Sequence, residues 1–127
     1  MQHRSTGALN TQHLSTAARQ HRSTAALNPI IPPYEPEWSK AVYHLYVIRT
    51  KRRDDLQKYL LENGINTGLH YPIPLHLQGA YRTMGLASGS FPITETVAKE
   101  ILSLPMFPGL TSEQIEYTAS KIKEFYG

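Results

Sequence analysis

His70 and Tyr71 set an imidazole beside a phenol at the head of a proline-punctuated run, H-Y-P-I-P-L-H-L-Q, over residues 70–78. Side chains of these two types suit general acid–base work once a reacting atom lies within hydrogen-bond reach. They close an apolar stretch and precede a rigid turn, so the alternative is that they only pack beneath that turn. His76 follows six positions after His70, across two prolines. Two histidines at that separation make a weak metal motif with no third ligand close in sequence, and packing or capping of the next short helix is the expected role of His76. His44 lies within an apolar run and reads as a hydrogen-bonded core histidine. Cysteine is absent, which excludes disulfide frameworks, thiolate metal sites and cysteine nucleophiles.

A second run, L-S-L-P-M-F-P-G-L-T over residues 102–111, also joins prolines to large apolar groups. Met106 and Phe107, held between Pro105 and Pro108, read as a plug into the core.

These groups need elements to position them. Residues 42–50 (V-Y-H-L-Y-V-I-R-T) are rich in β-branched and aromatic side chains, which predicts a strand. Tyr43, Leu45 and Val47 would share one face, and Val42, His44, Tyr46 and Ile48 the other. Two largely apolar faces suggest a covered, central strand. Leu56, Tyr59 and Leu60 at helical spacing predict a helix over residues 52–63, with Gly64 just past its end. Residues 65–70 then read as a second strand, giving a β-α-β unit over residues 42–70. A short helix over 77–84, ended by Gly85, follows the proline turn. Pro92 opens the next helix, in which Ile93, Val97 and Ile101 recur every four residues. Thr111 and Gln114 fit capping-box spacing for a last helix, with Ile115, Ala119, Ile122 and Tyr126 on its inner face. The expected fold class is α/β, a few-stranded sheet with about three helices.

The first 28 residues differ in kind. Q-H-R-S-T-G-A-L-N (2–10), Q-H-L-S-T-A-A-R (12–19) and Q-H-R-S-T-A-A-L-N (20–28) are copies of one unit, too short for a repeat fold. Each copy has too few large apolar groups to offset the about 1–2 kcal/mol per residue of backbone ordering. A mobile or weakly helical tail is expected. It reads as a basic arm, a weak metal tract through His3, His13 and His21, or translated repetitive sequence without selected structure. Residues 29–37 carry four prolines and read as a linker or a surface-hugging entry, leaving residues 38–127 as the domain.

Charge agrees with this division. The whole excess of +3 comes from Arg4, Arg19 and Arg22, while residues 29–127 hold ten basic and ten acidic side chains. The neutral part lacks the basic and aromatic interleaving that stacks bases, so nucleic-acid binding is not expected. No apolar run approaches the roughly 18 residues of a membrane span, and no secretion signal is evident; a cytoplasmic setting is the default.

The ordered motifs resemble the C-terminal small domain of the DegT/StrS-type nucleotide-sugar aminotransferases, pyridoxal 5'-phosphate enzymes of fold type I. They are Y-H-L-Y-V-I-R (43–49), R-D-D-L (53–56), G-I-N-T-G-L-H-Y-P-I-P-L-H-L-Q (64–78), A-Y (80–81), F-P (91–92) and L-S-L-P-M-F-P (102–108). The resemblance covers residues 36–127. It implies transfer of an amino group, usually from glutamate, to a nucleotide-linked keto-sugar, with a lysine joined to the cofactor as a Schiff base. It also implies that this lysine and most cofactor contacts belong to a large domain outside these 127 residues. Lys40, Lys51, Lys58, Lys99, Lys121 and Lys123 match no such motif and read as solvated charges. No cofactor binding by this chain alone is therefore expected. The resemblance places His70 and Tyr71 on the substrate side, in contact with sugar or pyrophosphate. It further implies an apolar face, including Tyr43, Tyr46, Leu75, Leu77, Met106 and Phe107, that a large domain, a partner chain or a second copy would cover. The expected whole is a C-terminal aminotransferase fragment inactive by itself. The alternatives are a free-standing α/β interaction module and a non-functional remnant.

Overall fold

The computed structural model of the chain describes residues 29–127. The expectations for the repeat over residues 1–28 lie outside the described residues. Two strands, β1 (Tyr46–Arg49) and β2 (Ile101–Leu104), pair antiparallel with Ile48 opposite Leu102 and Val47 opposite Ser103. Isolated bridges extend this ladder on both sides, Ile31 to Arg49 beyond β1 and Gly68 to Ser103 beyond β2. Three α-helices follow in chain order: α1 (Arg53–Glu62), α2 (Pro92–Glu100) and α3 (Ser112–Tyr126). The fold is a small α/β layer.

The period-2 alternation of strands decides which side chains enter the core. Ile48 and Leu102 share one face and meet Leu56 and Leu60 of α1 and Ile65 in the buried cluster. Tyr46 and Leu104 extend that face, and Ile122, Phe125 and Tyr126 of α3 close over it. Ile30 packs against the same cluster and Ile31 exchanges two backbone hydrogen bonds of 2.9 Å with Arg49. The proline-rich entry is thus stitched to the sheet edge. Across the sheet, the Arg49 guanidinium donates to Glu100 at 2.7 Å. The Tyr126 hydroxyl and the Thr50 hydroxyl hydrogen-bond, tying the end of α3 to the end of β1.

Several expectations are corrected. The first strand begins at Tyr46, not at residue 42: Val42 is 97% exposed and His44 is exposed, so His44 is not a core histidine. Tyr43 adopts φ +48°, a left-handed turn that breaks the extended run, and its hydroxyl donates to Glu35 at 2.7 Å. Residues 65–70 form no strand beyond the Gly68 bridge, and the partner of β1 is instead β2, inside the second proline-bearing run. The expected β-α-β unit is therefore an antiparallel pair whose strands are about fifty residues apart in sequence. The short helix over 77–84 is two 3-10 turns, Leu75–Leu77 and Gly79–Met84, ended by Gly85 at φ +67°.

In α2 the expected stripe fails because Ile101 already has extended backbone and belongs to β2. Ile93 is left exposed, and Ala98 is the buried residue of that helix. The start of α3 is as expected: Thr111 Oγ1 accepts from the Gln114 N–H at 3.3 Å, and Gln114 Oε1 accepts from the Thr111 N–H at 3.0 Å. Its inner face is only half engaged. Ile122 and Tyr126 pack on the core, whereas Ile115 is 54% exposed. Met106 and Phe107 do not plug the core either; both are exposed.

Candidate functional site

The face of the sheet opposite the core carries Val47 and Ser103, which sit directly across from each other. Ser103 is buried, and its backbone exchanges two hydrogen bonds with Gly68, at 2.8 and 3.0 Å. Two residues on, His70 Nδ1 lies 2.9 Å from Ser103 Oγ. This bond engages Nδ1 and leaves Nε2 as the ring nitrogen available to a ligand. The peptide joining His70 to Tyr71 is cis. The Tyr71 ring meets the His70 ring edge-on, with centroids 5.7 Å apart, and is 74% exposed. The two expected site residues are thus side by side, one anchored to the sheet and one open to solvent.

Gly68 is part of that anchoring. A Cβ at this position would lie 2.6 Å from His70 Cε1 and 3.2 Å from Nδ1. The imidazole rests against the bare backbone, a close approach that only glycine permits. Gly68→Ala is expected to expel the ring from its Ser103 bond while leaving the core helices in place. The check is the His70 ring resonances by NMR, which should move toward those of a Ser103→Ala variant. Unchanged His70 resonances in Gly68→Ala would sink this account.

His76 is not part of the same constellation. It is 8% exposed, its Nε2 lies 2.9 Å from Glu95 Oε1, and its ring meets Phe91 edge-on at 4.9 Å. Packing is its role, as expected, but against α2 rather than as a cap on the following turn. The two histidines engage separate partners. Among the described residues no group of three or more His, Asp or Glu side chains could hold a metal ion.

Glu95 itself was not evident from the sequence. Its carboxylate accepts from the Gly89 N–H at 2.8 Å, the Ser88 hydroxyl at 3.1 Å and the Phe91 N–H at 3.3 Å, besides His76. The available signal was an acidic residue in the first turn of a proline-opened helix, just after the small residues Ser88, Gly89 and Ser90. These donors, the Gly89 N–H first and His76 next, hold its carboxyl at about 2, down from an ordinary 4.5. A depressed carboxyl pKa contributes stability that is complete above about pH 4.5 and is lost as pH falls through about 2. Glu95→Gln is therefore expected to flatten the acid limb of the stability profile across that window. Urea midpoints measured from pH 5 to pH 2 test this; parallel profiles for variant and parent would refute it.

The lysines offer no cofactor site. A lysine that holds a carbonyl cofactor needs a lowered pKa inside an enclosed pocket. Lys40, Lys51, Lys58, Lys99 and Lys123 are exposed. Lys121 bonds Glu124 at 2.8 Å, which raises its pKa. None of the described lysines thus has the enclosed setting that a Schiff base to pyridoxal 5'-phosphate needs.

One further feature is an open apolar groove of about 370 Å³ between α3 and the core-side face of the sheet, lined by Tyr46, Leu104, Met106, Ile115, Ala119 and Ile122. Ile115 and Ala119, expected on the inner face of α3, form one wall of it.

With the fold and these contacts in view, the chain belongs to the DegT/DnrJ/EryC1/StrS aminotransferase family, whose profile matches residues 6–123. That match begins inside the repeat, thirty residues ahead of residue 36, where the resemblance read from the motifs begins. The chain is 47% identical over 97 residues to a pleiotropic regulatory protein of Geobacillus stearothermophilus, covering 76% of this chain and 26% of that protein. It is 35% identical over 116 residues to the dTDP-3-amino-3,4,6-trideoxy-alpha-D-glucose transaminase of Streptomyces venezuelae, covering 91% and 31%. Among solved structures, S. venezuelae DesV in complex with a ketimine intermediate superposes with a TM-score of 0.73 at 35% identity, over 91% of this chain and 31% of that one. A DegT/DnrJ/EryC1/StrS aminotransferase from Brucella abortus gives 0.72 at 30% identity, over 92% and 31%. The fold is thus shared with part of the fold-type-I sugar aminotransferases, and the chain spans about three tenths of the length of these relatives. Among the described residues no helix is long and apolar enough to cross a membrane.

Proposed function

We propose that this chain is the C-terminal small-domain part of a nucleotide-sugar aminotransferase and that His70 and Tyr71 contact the sugar or pyrophosphate of the substrate. The observation that carries this reading is the anchored imidazole: Ser103 holds Nδ1, Gly68 makes room for the ring, and the phenol stands exposed beside it. The transaminase names among the relatives supply the substrate class, a keto-sugar on a nucleoside diphosphate. A cytoplasmic setting goes with that class. Amino transfer then needs a lysine-bearing, cofactor-holding domain working with these residues, because none of the described lysines suits that work. Residues 6–28 fall inside the family match, which favours reading them as family chain over an appended tail.

The experiment is a titration of the chain with dTDP-glucose followed by NMR. Weak binding, with Kd of about 1 mM, should shift the His70 and Tyr71 resonances. His70→Ala should abolish the response, and Tyr71→Phe should weaken it. Saturable shifts elsewhere with His70 and Tyr71 silent would refute the assignment.

The groove favours a companion reading of the partner surface. Its apolar walls, with exposed Phe107 next to the wall residue Met106, form a face that a large domain or a second copy would cover, and Leu75 and Leu77 are exposed as well.

A further inference from the structure

Residues 70–91 carry Tyr71, Ile73, Leu75, Leu77, Tyr81, Met84 and Phe91 outward, and His76 is the only buried residue among them. The hydrophobic effect therefore gives this stretch little order. Its own hydrogen bonds are mostly short-range: Leu77 to Pro74, Gln78 to Leu75, Tyr81 to Gln78, Gly85 to Arg82, and the Gln78 amide to the Ile73 carbonyl. Turns of this kind shape a segment without fixing it to a fold. Side-chain links to β2 and to Glu95 of α2 do that, the latter also through Ser88, Gly89 and Phe91. His70 is tied to Ser103 of β2, and His76 is tied to Glu95 of α2.

Between those two ties the chain forms an arch whose crown is Tyr71, Pro72, Ile73, Pro74 and Leu75. The prolines make the crown stiff, so a constraint at one foot is transmitted toward the other. Glu95 holds the His76 foot, and the same carboxylate orders the loop at Ser88 and Gly89 and the start of α2 at Phe91. A glutamate that merely ordered its own helix start would need only the Phe91 and Gly89 amides. The added bond to a buried imidazole nineteen residues earlier in the chain links the arch to α2.

We propose that Glu95, acting through His76, is a positioning residue for the His70–Tyr71 site. It sets where the Tyr71 phenol is presented and touches no substrate itself. This inference rests on the substrate-contact reading given above, and the experiment separates the two.

The measurement is NMR on the full chain, comparing His76→Phe, His76→Gln and Glu95→Gln with the parent. His76→Phe keeps a ring against Phe91 but removes the donor; His76→Gln restores a donor for Glu95. The expected result is loss of the His70–Tyr71 ring contact and an about tenfold drop in amide protection at Leu77 and Gln78 in His76→Phe. His76→Gln should recover both, and the Ile48, Leu56 and Leu102 methyl resonances should stay put throughout. Glu95→Gln, whose amide can no longer satisfy the same set of donors, should resemble His76→Phe. The inference is overturned if the His70–Tyr71 contact and the protection persist in His76→Phe, or if His76→Gln fails to restore them. Addition of dTDP-glucose then tests the other reading. A parent chain that gives no response at Tyr71 while the variants behave as expected removes the substrate assignment alone. A parent that responds, with His76→Phe responding identically, removes the positioning role alone.

Discussion

Replacing Leu102 by alanine is expected to cost about 2–5 kcal/mol and to lower the thermal midpoint by roughly 10–30 °C. Leu102 is fully buried, faces Ile48 across the sheet and meets both Leu56 and Leu60 through the central cluster. Only six apolar side chains are buried among the described residues: Ile48, Leu56, Leu60, Ile65, Ala98 and Leu102. Such a core leaves little reserve, since a domain of about 100 residues has a net stability of only about 5–15 kcal/mol. The cavity left by Leu102 cannot be filled from β1, because a strand paired on both sides has little freedom to move inward. Leu61, one residue from the buried Leu60 but exposed on α1, provides the control. Leu61→Ala should change stability by less than about 0.5 kcal/mol. Thermal unfolding followed by circular dichroism decides the matter, and similar midpoints for the two variants would show that the core has been misplaced.

The second large effect concerns association. At high concentration the chain is expected to sediment as a dimer or larger species, with Met106→Glu/Ile115→Glu shifting it to monomer. The cause is the uncovered wall of α3. The C-terminal half of α3 packs Ile122, Phe125 and Tyr126 on the core, but the helix has no fully buried side chain, and its Ile115–Ala119–Ile122 stripe lines an apolar groove with Tyr46, Leu104 and Met106. Apolar surface left open beside exposed Met106, Phe107 and Ile115 marks a place where another surface sits. Both substituted positions line the groove without entering the buried cluster, so the variant should keep the parent's unfolding transition. A parent chain that sediments as a monomer at all concentrations, with a cooperative transition, would show that the groove is stable uncovered.

These two expectations draw on different levels of the molecule. The family was legible in the order of its motifs, from residues 43–49 through 64–78 to 102–108, and the comparisons agree with that reading. The caps were legible too. Thr111 with Gln114, Gly64 at φ +75° and Pro92 at the first turn of α2 act through bonds and dihedrals only a few residues long. Such features need no knowledge of the rest of the chain. His70 and Tyr71 were legible as neighbours, and His76 as a packing residue, because their types and the prolines around them limit what they can do.

The sheet was not legible, because pairing is a long-range choice. Residues 65–70 have the composition of a strand, but only Gly68 reaches a partner, and Ile101 continues the helical spacing of Ile93 and Val97 although it is the first residue of β2. Val42 and His44 carry strand-like neighbours, yet Glu35, eight residues before Tyr43, captures its hydroxyl and turns the chain away. Glu95 shows the same limit most sharply. As a letter it is one more acidic residue near a helix start. Its place at the centre of five hydrogen bonds follows only from folding the 75–77 turn and the 88–91 loop onto the same carboxylate. Sequence alone thus determined the family, through the order of its motifs, and the caps, through bonds and dihedrals a few residues long. Tertiary structure alone decided strand pairing, the half-covered face of α3 and the Glu95 hub, because each depends on which distant segments burial brings together.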